Sequence, residues 1–277
     1  MPLDIAPTHF IAHLTDTHFL AGGAPLYGTV DTVEHLRRAL RRLESSDFRI
    51  DAIVHTGDIA DLGELDAYER VRSILEPAAD RLACPIVWVP GNHDVRGALR
   101  QGLLSQPPSD APLDAVTEVR GLRIVTLDTS VPQAGYGEVE PAQLDWLREV
   151  LAEPAPEGTL LALHHPPLHT TVRVLDPFQL RGADALAEVV EGTDVRVILA
   201  GHFHYGLGGR FAGVPVSVAP ALSYNVRVEA PELGYTGVDG QHAISLTAVY
   251  PDRIASILLP IDEPPVVVQL PDRFFES

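Results

Sequence analysis

The chain has no lysine, one cysteine (Cys84) and one methionine (Met1) among its 277 residues. All twenty of its basic residues are arginines. That excludes a nucleophilic or Schiff-base amine and a phosphate-cradling P-loop lysine. A single cysteine rules out an intrachain disulfide and a thiolate-rich zinc site. Any bound metal must therefore be held by His, Asp, Glu or Asn. Basic residues are also outnumbered: 20 − 38 gives a net charge of −18. Such a balance lacks the basic footprint of a nucleic-acid tracker and disfavours an anionic membrane surface. No uncharged run reaches the ~18 residues that would span a bilayer. Met1-Pro2-Leu3-Asp4 lacks the basic and apolar regions of a signal peptide. The expectation is a cytoplasmic protein with no nucleic-acid partner and no membrane span.

With 45% hydrophobic and 21% charged residues, the composition is that of a globular chain long enough for a sizeable core. Short β-branched apolar runs alternate with helical periodicity. Phe10–Leu14, Ala52–His55, Ile86–Val89, Leu122–Leu127, Thr159–Leu163, Val195–Ala200 and Val214–Val218 read as buried strands. Ala243–Tyr250 and Ile254–Leu259 read as a closing pair. Val33, Leu36, Leu40 and Leu43 recur at helical spacing, and Leu65–Ala83, Ala142–Leu151 and Asp184–Val190 are further helices. This alternation predicts a layered α/β architecture, a mixed sheet or two sheets flanked by helices. A single domain is expected over residues 1–260, with a Gly-, Pro- and Tyr-containing excursion at 220–240, followed by a Pro-rich tail at 261–277.

The polar residues that follow five of the strands carry the functional signal. Phe10–Leu14 runs into Asp16-Thr17-His18, Ala52–His55 into Gly57-Asp58, and Ile86–Val89 into Gly91-Asn92-His93-Asp94. Thr159–Leu163 runs into His164-His165-Pro166-Pro167, and Val195–Ala200 into Gly201-His202-Phe203-His204. Sites in α/β proteins form at the carboxyl ends of strands, so the five segments can converge. Asp16 and His18, like His202 and His204, are two residues apart, and in extended backbone each pair would project from one face. The glycines before Asp58, Asn92 and His202 permit tight turns or close backbone approach. Imidazole with carboxylate and no thiolate suits Fe, Mn, Zn, Co or Ni better than Ca or Mg. Two such ions ~3.5–4 Å apart clamp a phosphoryl group and generate a hydroxide nucleophile near neutral pH. Asp58 is the candidate bridge.

Taken in order, D-x-H, G-D, G-N-H-D, H-H and G-H-x-H resemble the five blocks of the calcineurin-like metallophosphoesterase superfamily. The surroundings, Thr15-Asp16-Thr17-His18, Leu26-Tyr27-Gly28-Thr29-Val30-Asp31, Leu163-His164-His165-Pro166-Pro167 and Ala200-Gly201-His202-Phe203-His204-Tyr205, look like the class III cyclic-nucleotide phosphodiesterases of bacteria, closest to the mycobacterial member. The resemblance implies a four-layer αββα sandwich of two mixed sheets. It also implies a first metal held by Asp16, His18, Asp58 and His204, and a second held by Asp58, Asn92, His164 and His202. Fe or Mn are the first choices, with Zn, Co or Ni as others. His93 would bind substrate phosphate beside Asn92 or protonate the leaving alkoxide. The substrate would be a small phosphodiester such as 3′,5′- or 2′,3′-cyclic AMP, the protein a homodimer, and 220–240 a cap beside the metals. Two other functions fit the same blocks: a phosphodiesterase or phosphomonoesterase with a non-nucleotide substrate, and a metal-binding scaffold without turnover. One departure stands out, since some relatives carry histidines in the loop matching Val131–Gly137 and this chain has none there.

The remaining residues divide as follows. Asp94 either orients a histidine or caps the helix beginning near Arg96. His165 is expected to face away from its neighbour, and His13 and His55 to be core histidines. His169 reads as a solvated loop residue, whereas His9, His35 and His242 carry no signal. Tyr27, Gly28, Tyr205, Tyr224 and Asn225 are expected around the rim of the site.

Overall fold

The computed structural model describes residues 6–229 and 234–270. Met1–Asp4, residues 230–233 of the anticipated cap and residues 271–277 of the tail therefore lie outside the described residues. Two β-sheets dominate. The first has the order β15-β14-β1-β2-β3, built from β1 (His9–Leu14), β2 (Ala52–Thr56), β3 (Ile86–Val89), β14 (Ala243–Val249) and β15 (Ile254–Pro260). The second has the order β10-β11-β9-β7-β5-β4, from β4 (Ala115–Val119), β5 (Leu122–Thr126), β7 (Thr159–Ala162), β9 (Val195–Ala200), β10 (Leu207–Phe211) and β11 (Val214–Val218). Two small pairs complete the strands: β6 (Gly137–Glu138) with β8 (Leu180–Arg181), and β12 (Asn225–Val226) with β13 (Gly237–Val238).

Side-chain alternation explains why the sheets stack. In β1, Ile11 faces the second sheet while Ala12 packs under the helices; in β7, Leu160 and Ala162 face inward while Leu161 faces outward. The inward set, with Val54, Val87, Ile124, Val197 and Leu199, forms an apolar layer between the sheets. The outward set of the first sheet is covered by α1 (Thr32–Glu44), α2 (Leu65–Leu82) and α3 (Arg96–Leu104). That of the second is covered by α4 (Pro141–Leu151) and α5 (Ala183–Val190). The order helix, sheet, sheet, helix is the four-layer sandwich expected, with mixed sheets because β14, β15, β4 and β10 run antiparallel to their neighbours.

Local chemistry sets the helix starts. The Asp31 side chain accepts from Glu34 N at 2.9 Å to cap α1, and Pro141 occupies the first turn of α4. Besides the four two-residue strands, two strands of the main sheets escape the sequence reading: β4, whose residues are mostly exposed, and β10, which contains Gly208-Gly209. Both are edge strands with no apolar run to reveal them. The start of the tail runs along α1, where Arg38 pairs with Asp262, and Arg42 with Glu263 at 3.2 Å. Val266, Val267 and Val268 beyond it are exposed. Among the described residues no helix is long and apolar enough to cross a membrane.

Candidate metal centre

The parallel strands β1, β2 and β3 of one sheet and β7 and β9 of the other end at the same edge of the sandwich. Their loops bring Asp16, His18, Asp58, Asn92, His164, His202 and His204 into one cluster. Asp16, His18, Asp58 and His204 offer donor atoms all within 4.8 Å of one another. On the other side His164 Nε2 lies 3.4 Å from Asp58 Oδ2 and 3.1 Å from Asn92 Oδ1, with the His202 ring centroid 5.0 Å from that of His164. His18 Nε2 is likewise 3.4 Å from Asp58 Oδ2. One carboxylate oxygen is thus equidistant from an imidazole nitrogen of each lobe.

The backbone route to this cluster differs from the extended pairs expected. Asp16, His18, Asp58, His202 and His204 all have left-handed backbone, with φ of 53°, 46°, 50°, 73° and 57°. Non-glycine residues enter that region rarely, and at a cost of about 1–3 kcal/mol each, so the surrounding structure must hold them there. Each pair shares a face because the chain turns sharply after the strand, not because it continues. Two glycines allow the resulting crowding. A Cβ on Gly91 would overlap Asp58 Oδ1, and one on Gly201 would overlap Thr15 Oγ1 and lie 2.7 Å from Asp16 Oδ2.

Hydrogen bonds fix the imidazoles. His18 Nδ1 donates to Asp61 Oδ1 at 2.9 Å, His204 Nδ1 to the Tyr224 carbonyl at 2.9 Å, and His164 Nδ1 to the Thr56 carbonyl at 2.6 Å. His202 donates through Nε2 to the Phe178 carbonyl at 2.8 Å. These partners only accept, so in the neutral form of each histidine the opposite ring nitrogen carries a lone pair, and at His164 that nitrogen is the one a proton occupies until a metal displaces it. The bare Nε2 atoms of His18 and His204 lie 3.2 Å apart, and the buried Asp16 Oδ1 has no hydrogen-bond partner. Facing lone pairs and an unpartnered buried carboxylate oxygen repel unless a cation lies among them. The donor set therefore fits metal ions, and outer partners of this kind are what orients metal-bound histidines.

The charges agree. Burial pushes the Asp16 carboxyl up, but the His204 and His164 imidazoles more than offset it and hold it below the usual range. For Asp58, too, burial is outweighed, here by His164, His93 and His18. Burial lowers His164, yet the Asp58 and Asp16 charges overcome this and push it up to about 9. Burial, reinforced by His164, takes His202 down to about 3. Burial lowers His18 as well, against the pull of Asp61 and Asp58.

His93 lies beside the cluster. Its backbone N–H donates to Asp58 Oδ1 at 2.9 Å, its Nδ1 to the Asp61 carbonyl at 2.8 Å, and its ring meets that of His18 edge-on at 4.7 Å. The Nε2 side is left to the cleft it lines. Burial lowers His93, and the charges of Asp58 and Asp61 reverse this to raise it overall. The cleft, about 430 Å³, is bounded by Asp58, Asn92, His93 and His202 on the polar side and by Val174, Leu175, Phe178, Tyr224 and Tyr235 on the other.

Several expectations need correction. Asp94 neither caps α3, whose N-cap is Val95, nor hydrogen-bonds the His93 ring, whose Nδ1 goes to the Asp61 carbonyl. Its carboxylate accepts from Gly91 N, Ile59 N, Ala60 N and the Tyr68 hydroxyl, tying the Asp58 and Asn92 loops together. His165 does not face away, because its ring packs 4.4 Å from that of His202 while Nδ1 bonds the Thr129 hydroxyl. Tyr205 supports Thr170, and Asn225 is buried against Ala221 and Gly240, so neither is on the rim. Tyr224 is, 4.4 Å from the His204 ring and bonded to the Tyr235 hydroxyl at 2.8 Å. Tyr27 reaches Tyr224 from outside, 3.4 Å between hydroxyls, and Gly28 sits in the exposed turn beside it. His13 and His55 are core residues as expected, held neutral by burial at about 3. His169 is exposed. Asp61 and Tyr235 were not foreseen. Asp61 stands three residues after Asp58, a spacing that could have flagged it.

Comparison with known proteins matches residues 11–206 to the calcineurin-like phosphoesterase family. The chain is 47% identical over 255 residues to a cAMP/cGMP dual specificity phosphodiesterase of Mycobacterium tuberculosis, covering 92% of this chain and 80% of that one. It is 44% identical over 255 residues to a probable cyclic nucleotide phosphodiesterase of Rhodococcus erythropolis, covering 92% and 84%. Among solved structures, a dimetal phosphatase from Danio rerio superposes with a TM-score of 0.65 at 18% identity, covering 93% of this chain and 98% of that one, a likeness of fold. The ordered metal-competent blocks, the layered architecture and the match over most of the chain agree, and the protein belongs to the calcineurin-like phosphoesterase family.

Proposed function

We propose that the protein is a dinuclear metal-dependent phosphodiesterase that hydrolyses cyclic nucleotides. The observation that carries this reading is the Asp58 oxygen set 3.4 Å from both His18 Nε2 and His164 Nε2, in a family whose similar members are named cyclic nucleotide phosphodiesterases. Asp16, His18, Asp58 and His204 would hold one ion, and Asp58, Asn92, His164 and His202 the other. Iron and manganese are the proposed natural pair, with zinc, cobalt or nickel as substitutes. When bound, the ions supply Lewis acidity at the phosphoryl oxygens and a nucleophile at neutral pH.

The chain's own residues do the rest. Asp61 and the carbonyls of Tyr224, Thr56 and Phe178 hold the imidazoles in one tautomer, so no reorganisation is needed as charge develops. Asn92 and His93 face the cleft where the phosphate would sit. With Nδ1–H committed to the Asp61 carbonyl, the doubly protonated ring of His93, favoured by the Asp58 and Asp61 charges, can give its Nε2 proton to the departing ribose oxygen and return to the neutral form. The Tyr224, Tyr235 and Phe178 wall offers aromatic faces for a base. We propose further that residues 1–260 act as one domain, with 220–240 as the cap, and that the protein works as a cytoplasmic homodimer.

Steady-state hydrolysis by metal-loaded protein tests the reading. The expected order is cyclic nucleotides and bis-p-nitrophenyl phosphate well above p-nitrophenyl phosphate. Comparison of 3′,5′- with 2′,3′-cyclic AMP then defines the ring preference. Faster monoester hydrolysis, or metal-loaded protein without turnover, would overturn it.

A further inference from the structure

A second group of histidines meets a carboxylate away from the cleft. His35 on α1 and His242 just before β14 have ring centroids 4.2 Å apart. Asp239 Oδ1 lies 3.4 Å from His35 Nε2 and 3.0 Å from His242 Nε2. His35 donates Nδ1–H to the Leu222 carbonyl at 2.9 Å, and His242 Nδ1 lies 3.2 Å from the Ala221 carbonyl. Donation to those carbonyls leaves both Nε2 lone pairs turned on Asp239. This is the same arrangement of committed outer nitrogens and converging inner donors found around Asp58.

We propose that His35, Asp239 and His242 form a third metal site, for zinc or a similar borderline divalent ion. Donor atoms that share a tetrahedral ion at ~2.0–2.1 Å stand about 3.3 Å apart, close to the two spacings observed. Two imidazoles with one carboxylate suit zinc better than calcium or magnesium. Both imidazoles are nearly fully buried, whereas the Asp239 side chain is 53% exposed, which opens one face of the site to water. Burial lowers His242, against the pull of Asp239, and favours the neutral form a metal requires. Without an ion the contacts need a proton on an Nε2 atom, which the Asn225 amide, 3.3 Å from His242 Nδ1, would permit. The two states differ in whether zinc displaces that proton.

The position gives the ion a purpose. It would pin α1 and the start of β14 to the 221–225 segment, which lines the catalytic cluster from behind. Leu222 N donates to the Thr15 carbonyl at 3.1 Å, Ser223 N to the Asp16 carbonyl at 3.0 Å, and the Tyr224 carbonyl accepts from His204. An ion here acts as a staple, stabilising the wall on which Asp16 and His204 stand.

Zinc content after loading and desalting, together with thermal unfolding, tests this. Wild-type protein should retain three zinc ions per chain. Asp239→Asn, at an exposed position, and His35→Asn, whose amide can still reach the Leu222 carbonyl, should each retain two. The Tm of the wild type should rise by several degrees on occupation of the third site, and that of Asp239→Asn should not. Asp58→Asn should keep one zinc ion and lose it in the double variant with Asp239→Asn, which separates this site from the dinuclear one. A wild-type protein without a zinc ion dependent on Asp239, or an Asp239→Asn protein with the full wild-type zinc content, would overturn the proposal.

Discussion

Acids with little exposure to solvent stand at both ends of the sandwich, with different partners. Where β5, β7 and β9 begin, Asp194 takes both oxygens to the Arg123 guanidinium at 3.0 Å and accepts from Ala155 N and Thr159 Oγ1. Asp51, ahead of β2, is paired with Arg120 at 2.6 Å and accepts from Phe10 N. Where the strands end, Asp16 and Asp58 face imidazoles and, among the described residues, no arginine. Arginine does not give up its proton, so an Arg-paired acid is satisfied and closed. Imidazole can, and its lone pair then joins the carboxylate as a ligand. Asp128 shows that the partner decides rather than the location. It follows β5 at the same end as the cluster, yet Arg96 holds it at 2.8 Å, and it is structural.

The sharpest way to break this contrast is Asp58→Asn. It should release manganese from both lobes and lower phosphodiester hydrolysis by at least ~10³-fold, the scale seen when one part of a catalytic unit is removed. Elemental analysis and turnover read both effects, and two manganese ions retained would end the bridging role. His93→Ala should keep both ions and lose ~10²–10⁴ in kcat, the usual worth of a positioned acid or base. The loss should be larger for cyclic AMP than for bis-p-nitrophenyl phosphate, whose leaving group needs no proton. Equal losses would make His93 a phosphate binder only.

At the other end, Asp194→Ala should cost about 3 kcal/mol by leaving the largely covered Arg123 guanidinium without its carboxylate partner. Denaturant titration measures this, and kcat and metal content should stay at wild-type values. Loss of metal in that variant would erase the distinction between the two ends. The smallest effect is on proton balance. With His164 raised to about 9 from an ordinary 6.5, the metal-free protein carries a proton there at neutral pH. A raised pKa stabilises the fold fully below pH 6.5, and that stabilisation fades as pH climbs towards 9. Over the same window metal binding should tighten, because fewer protons must be displaced. Calorimetry in buffers of different ionisation enthalpy should show about one proton released per chain at pH 7. No release would place the His164 proton elsewhere.

Much of the site was legible in the sequence. The strands that lead into it are apolar and β-branched, and the residues after them are Asp, His and Asn in an order that resembles the blocks of the family; it was that resemblance that singled out the seven members of the cluster from His93, Asp94 and His165 beside them. Less legible was the means of bringing them together. The left-handed backbone at Asp16, His18, His202 and His204 cannot be inferred from residue spacing. Edge strands β4 and β10 were missed because exposure and glycine removed the apolar signal. Asp94 was assigned the wrong partners because its four donors come from three separate segments.

What the sequence by itself determined is the chemistry available: no lysine, one thiol, an acidic balance and five strand ends rich in imidazole and carboxylate. Those are local properties, carried by residue type and near-neighbour order. The tertiary structure decided which acids are closed and which are open, because that depends on whether arginine or imidazole arrives from a distant segment. It also decided the tautomers, since carbonyls of Thr56, Phe178 and Tyr224 accept the outer protons and a carbonyl has the same chemistry at every residue. The same holds for His35, Asp239 and His242. Nothing near any of them in the chain marks it, and only folding α1 against the start of β14 turns three ordinary residues into converging donors.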